Sequence, residues 1–169
     1  MRINQIPGGN NPEHVAIRVR NAEASASIPI GTPVVFKIAA TNPGMDVVLP
    51  SSEVTMATAG CYGVAMQTAA AGDFFEAMVF GYCQNIVFLT GTKTASGETF
   101  STASGAAGII LCVDTVNNCF TTTGGTQAKS GFMPYAILAQ SFTAAGSAST
   151  TSDTRTAATI SSKAFLRMM

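Results

Sequence analysis

The 169-residue chain has no tryptophan, a single histidine and only 11% charged residues, against roughly 25% in an ordinary soluble domain. Each shortage excludes something. Nine Lys and Arg are offset by nine Asp and Glu, so there is no basic excess to neutralise phosphates, and no nucleic acid is expected as a partner. No apolar run reaches the roughly 18 residues that a spanning helix needs, and no membrane partner is expected. The lone histidine, His14, stands next to Glu13, and Cys61, Cys83, Cys112 and Cys119 lack CxxC spacing. These residues do not make a zinc set, and there is no Asp-rich calcium loop, so no metal and no cofactor are expected. Neither a GxSxG nucleophile frame nor a GxxxxGK[ST] phosphate loop occurs. Asp73 and Glu76, the closest acidic pair within one strand, stand three positions apart, an odd offset that points them to opposite faces, which excludes a glycosidase dyad built from them alone. The sequence predicts a protein that is not an enzyme.

What remains is apolar and small: 47% hydrophobic residues with 16 glycines. So little charge leaves a solitary monomer poorly solvated, and much of the apolar surface is expected to lie against another chain. The first nine residues lack an apolar stretch with a small-residue cleavage site, so a secretory leader is not expected. The cysteines read as reduced, buried small hydrophobes. A four-residue loop at 114–117 would place Val113 opposite Asn118 and Cys112 opposite Cys119 in one hairpin.

Apolar residues recur mostly at period two, punctuated by Gly, Pro, Asn and Asp, which is the signature of many short strands. Strands are predicted at 14–20, 33–39, 46–49, 61–67, 73–81, 84–89, 98–101, 108–113, 118–122, 134–142 and 158–167, with a TNPG turn at 41–44 and one short helix at 54–59. In the first strand Val15, Ile17 and Val19 share one face, and Arg18 and Arg20 the other. The fold class is therefore all-β: a small β-sandwich or partly closed β-barrel. Residues 1–13 (MRINQIPGGNNPE) are too polar and too rich in Gly, Pro and Asn to build a core and form an extended N-terminal arm. Residues 14–169 form a single β domain, with a small, polar, mobile loop at 143–156. The aromatic residues Phe74, Phe75, Phe80, Phe88, Phe100, Phe120, Phe132, Phe142 and Phe165 are spread over many strands and read as core pieces.

The succession SIPIGTPVVF at 27–36, GCYGVAM at 60–66, AAGDFFEAMVFG at 70–81, SGETF at 96–100 and GIILCV at 108–113 resembles the small capsid decoration proteins of tailed bacteriophages, also called head-stabilising or cement proteins. A turn of the kind at Pro29–Gly31 opens a strand, a GVA strand follows, and a GD corner starts the next. The likeness covers about half of the chain. It implies a homotrimer on the outer surface of the virion capsid, made in the host cytoplasm, that clamps neighbouring subunits of the major capsid protein. On this reading the arm is the docking segment, with Arg2, Ile3, Asn4, Gln5 and Ile6 as the capsid-binding residues. Only Ile3 and Ile6 are sizeable apolar side chains in the arm after Met1, and a neighbour's groove or sheet edge is where such a segment can bury them. The competing reading is a carbohydrate- or ligand-binding β module of a phage tail or fibre, and a third is a hydrolase whose site is not legible in the sequence.

Overall fold

The computed structural model describes residues 14–39, 42–52, 62–90, 92–95, 98–101, 104–105, 107–108, 110–115, 117–122, 136–139, 141–143, 156–160 and 164–167. Among these residues there is no helix, and period-two segments become strands throughout. In chain order the strands are β1 (Val15–Asn21), β2 (Pro33–Ala39), β3 (Asn42–Val48), β4 (Tyr62–Ala65), β5 (Phe74–Cys83), β6 (Ile86–Thr90), β7 (Thr92–Ala95), β8 (Glu98–Ser101), β9 (Ser104–Gly105), β10 (Ile110–Asp114), β11 (Cys119–Thr122), β12 (Ala136–Leu138), β13 (Phe142–Thr143), β14 (Thr156–Ile160) and β15 (Ala164–Arg167). The predicted helix at 54–59 and the arm at 1–13 lie outside the described residues.

Five strands close on themselves in the order β1-β3-β2-β4-β5, with β5 pairing back onto β1. Closure removes the open edges that a free sheet would expose. Inside the barrel lie Val19, Val34, Phe36, Val47, Ala65, Phe75 and Ala77, with Ile28 and Ala69 joined by an isolated bridge at one end. The sequence places Val19 inward and Arg18 and Arg20 outward on β1, and the structure agrees. A second sheet continues from β5 in the order β15-β12-β10-β11-β6-β14. It lies over the outside of the barrel, where Val35, Val48, Tyr62, Val64 and Met78 meet Ile86, Phe88, Leu111, Val113, Phe120, Leu138 and Leu166 in a second core. Burying each such side chain fully is worth about 1.5–3 kcal/mol. The pairs β7–β8 and β9–β13 form two small separate ladders.

Four predicted details are corrected. The TNPG segment is not a turn: Ala39 pairs with Asn42 and Ile38 with Pro43, so Asn42, Pro43 and Gly44 belong to β3, which begins at Asn42. Pro43 costs no ladder bond to a second neighbour, because β1 pairs only with Asp46 and Val47. The final strand predicted at 158–167 is two, β14 on β6 and β15 between β5 and β12. The strand predicted at 134–142 is likewise two, with β12 in the main sheet and β13 paired to β9. Last, in the β10–β11 hairpin Asp114 faces Cys119, Val113 faces Phe120 and Cys112 faces Thr121. Cys112 is thus diagonal to Cys119 rather than opposite it. The cause is turn chemistry: the Asp114 carboxylate accepts from the Asn117 backbone N–H at 3.0 Å and from its side-chain amide at 3.2 Å. Asn118 takes a left-handed conformation with φ 52°, which asparagine tolerates better than most residues. The shift moves the pairing by two residues, so each side chain keeps its face.

Two positions tie the loops to the strands. The turn Pro29–Gly31 closes with Thr32 N–H donating to Pro29 C=O at 3.3 Å, and Gly31 sits at φ +79°, the third position of a type II turn. A Cβ there would stand 3.0 Å from the Asn85 carbonyl oxygen and 3.1 Å from the Ile86 Cα. Gly72 occupies the same kind of corner at φ +84° but faces open space. Asn21, fully buried, gives its side-chain N–H groups to the carbonyls of Ala26 at 3.0 Å and Ala69 at 3.2 Å, while its Oδ1 accepts from Glu23 N–H at 3.0 Å.

Gly72→Ala will cost about 1–2 kcal/mol, the left-handed penalty alone; Gly31→Ala will cost more, because rigid backbone also blocks its Cβ. Urea unfolding midpoints will rank them in that order. Asn21→Ala removes the side-chain partner of the Ala26 carbonyl and the Glu23 N–H, while the Ala69 carbonyl keeps its bond from Ile28 N–H at 2.9 Å; it will cost about 1–3 kcal/mol, read as a lowered midpoint with unchanged slope.

Candidate interaction surface

The unusual feature of the molecule is the outward face of the second sheet. On β10, β12 and β15 the residues Leu111, Val113, Ala136, Leu138, Ala164 and Leu166 point into the core, and strand alternation turns Ile110, Ile137 and Phe165 the other way. The registers align these: Ile110 faces Ile137, Ile137 faces Phe165, and Phe165 faces Tyr82 on β5. An apolar row therefore crosses four adjacent strands. Ile110 and Tyr82 are each 42% exposed and Ile137 is 38% exposed. At its end, the Phe165 ring packs edge-on against Tyr82 at 5.1 Å and Phe80 at 5.4 Å between centroids, a favourable aromatic geometry.

A β-bulge places Phe80 and Tyr82 there. Along β1, Ala16 faces Met78 while Val15 faces Phe80, so Val79 is an extra residue on β5. Before the bulge, Phe75 and Ala77 fill the barrel and Met78 joins the second core. After it, Cys83 belongs to the second core, and Phe80 and Tyr82 turn outward. One inserted residue thus exchanges the faces of the strand. The expectation that Phe74, Phe80 and Phe165 are core pieces is corrected: Phe74 is 51% exposed, and Phe80 and Phe165 are half-buried. Phe75, Phe88 and Phe120 are buried as expected. The missed signal is that segments such as IILCV at 109–113 are apolar at both parities, which gives a strand two apolar faces.

On the barrel's outside, Arg20 holds Asp46 through two parallel hydrogen bonds, Nε to Oδ1 at 2.8 Å and Nη2 to Oδ2 at 2.7 Å. The pair raises the Arg20 pKa, chiefly through the hydrogen bond to Asp46 and then through its charge. Arg18 lies over the Phe74 ring at 5.5 Å from its centroid, a cation–π contact. Glu23 binds Leu49 N–H at 2.7 Å and the Ser52 hydroxyl at 3.1 Å. These groups are occupied with holding β1, β3 and the following turn. Asp73 closes the Gly72 corner by accepting from Ala70 N–H at 3.2 Å. His14 is exposed at the start of β1. Among the described residues no group of three or more His, Cys, Asp or Glu is placed to hold a metal ion, and no helix is long and apolar enough to cross a membrane.

Cys83, Cys112 and Cys119 are buried thiols. Burial pushes Cys112 up from the ordinary thiol value. It does the same for Cys83, partly opposed by a backbone hydrogen bond from Asn85, and the Cys83 thiol also donates to the Asn85 carbonyl at 3.1 Å. The predicted capsid-binding residues Arg2, Ile3, Asn4, Gln5 and Ile6 lie outside the described residues. Comparison with family models, curated proteins and solved structures returned no match for this chain. What the fold and surface define is an all-β protein, a closed five-stranded barrel with a second sheet whose outer face carries an exposed apolar row.

Because their pKa values are raised by folding, Cys83 and Cys112 will alkylate slowly in the native protein at mildly alkaline pH and rapidly after unfolding, measured by mass spectrometry. The unfolded chain releases these protons first, so stability present below the ordinary thiol pKa declines as pH rises past it.

Proposed function

We propose that the chain is a structural virion protein that binds the outer surface of an assembled phage head as a homotrimer and clamps neighbouring major capsid subunits. The observation that carries this reading is the apolar row Ile110–Ile137–Phe165–Tyr82, exposed on a protein with only 11% charged residues. A contiguous apolar patch of this kind marks a surface that contact with another chain buries. Flat sheet faces suit lattice contacts, since modest binding at each site multiplies when several subunits engage together. Such a protein adds stability to the assembled shell by binding that state and not its dissociated subunits. The arm residues Arg2, Ile3, Asn4, Gln5 and Ile6 supply the reaching contact in this proposal, and no catalytic step is assigned.

The alternative, a carbohydrate- or ligand-binding β module of a phage tail or fibre, draws on the Tyr82 and Phe165 rings. Their neighbours along the row are Ile137 and Ile110, whereas a sugar site needs convergent polar groups beside its aromatic platform.

Light scattering of the purified protein will give the mass of a trimer, and the protein will fill sites on heads stripped of decoration. Deleting residues 2–12 will lower that occupancy while leaving the trimer intact. Glycan binding without affinity for heads would overturn the proposal in favour of the alternative.

A further inference from the structure

Two strands that pair with the same residue must lie on its opposite edges. Phe80 faces Val15 of β1 and also Arg167 of β15, so β1 and β15 flank β5 on either side. Beyond Phe80, β15 continues beside Gly81, Tyr82 and Cys83. On the β1 edge, no described strand accompanies those three residues. The polypeptide that precedes Val15 therefore enters the fold at Phe80, where the aromatic end of the apolar row begins.

We propose that the row is the receptor for the chain's own N-terminal segment, residues 1–13, with Ile3 and Ile6 as its anchors. Reach permits it. Ile6 precedes Val15 by nine residues, and extended chain spans up to about 3.3–3.6 Å per residue, or about 30 Å. The row crosses only three strand spacings, about 14 Å at the usual separation. Chemistry selects these side chains: after Met1 they are the only sizeable apolar groups in the segment, and the face they would meet is built from Tyr82, Phe165, Ile137 and Ile110. Attachment next to the receptor favours the chain's own segment over another copy's, because tethering gives an effective concentration in the millimolar range. This deepens the decoration reading and rests on it for one consequence only: a segment drawn off to the capsid uncovers the row for a neighbouring chain.

The absence of tryptophan makes the test direct, since Ile6→Trp introduces the sole indole of the full-length protein. Its emission will be shifted to the blue and shielded from acrylamide, at every protein concentration tried. Adding Ile137→Asp will move the emission toward that of indole in water and restore quenching, and Ile110→Asp, at a second exposed row position, will do the same. Gln67→Asp, at an exposed residue away from the row, will leave both readings unchanged, and circular dichroism will confirm that each variant is folded. Three results would overturn the proposal: a solvated indole in the single variant, indifference to both row substitutions, or shielding that disappears on dilution, which would assign the row to a second copy's segment. These readings are made on isolated protein, so loss of head binding with a shielded indole would count against the decoration reading alone.

Discussion

The molecule depends on a single turn that fastens its two halves together. Gly31 donates its N–H to the Ala65 carbonyl at 2.8 Å and accepts from the Val87 N–H at 2.8 Å. The first bond holds the barrel strand β4, and the second holds β6 of the outer sheet. Thr32 adds a return bond from Ala65 N–H at 3.0 Å. This close approach is possible because the residue lacks a side chain and accepts a positive φ. With the turn in place, Ile86 and Phe88 are set over Val35 and Val64 in the shared core. The turn thus adds a second connection between the barrel and the outer sheet, which already share β5.

The same economy appears in β5, which belongs to both halves. Its early residues line the barrel and its late residues frame the second sheet, with the extra residue Val79 at the change of face. The bulge explains how one strand satisfies two cores, and its by-product is the outward placement of Phe80 and Tyr82. An apolar outer face is expensive for a protein in water. Its coincidence with the point where the N-terminal segment joins the fold gives that exposure a physical meaning, because the covering and the covered surfaces are adjacent in the chain's path. The decoration proposal and the intramolecular one use the same two apolar arm residues, and differ in whether their partner is a lattice or the protein itself.

Much of this architecture was legible in residues. Val15, Ile17 and Val19 alternating with Arg18 and Arg20 specified β1 and its inward face, because strand side chains alternate whatever the partner. The corners at Pro29–Gly31 and Gly72–Asp73 were expected as parts of the resemblance, and the structure puts at each a left-handed glycine, a backbone position that selects that residue. The segments at 33–39 and 98–101 were placed to the residue, while TNPG misled, since proline and glycine signal turns in local statistics but a strand with one partly vacant edge accommodates Pro43. The β10–β11 register was missed by two residues because the hydrogen bonds that Asn117 donates to the Asp114 carboxylate outweighed the simple loop count.

The sequence by itself determined the all-β class, the alternation within strands and the glycine corners, because these follow from local sterics and from burial at period two. Tertiary structure alone decided that β5 closes onto β1, that the last apolar stretch divides into two strands with different neighbours, and that Ile110, Ile137, Phe165 and Tyr82 form one row. Those outcomes depend on which strands become adjacent. Adjacency is set by packing of residues far apart in the chain, and the bulge that turns Tyr82 outward has meaning only relative to the strand beside it.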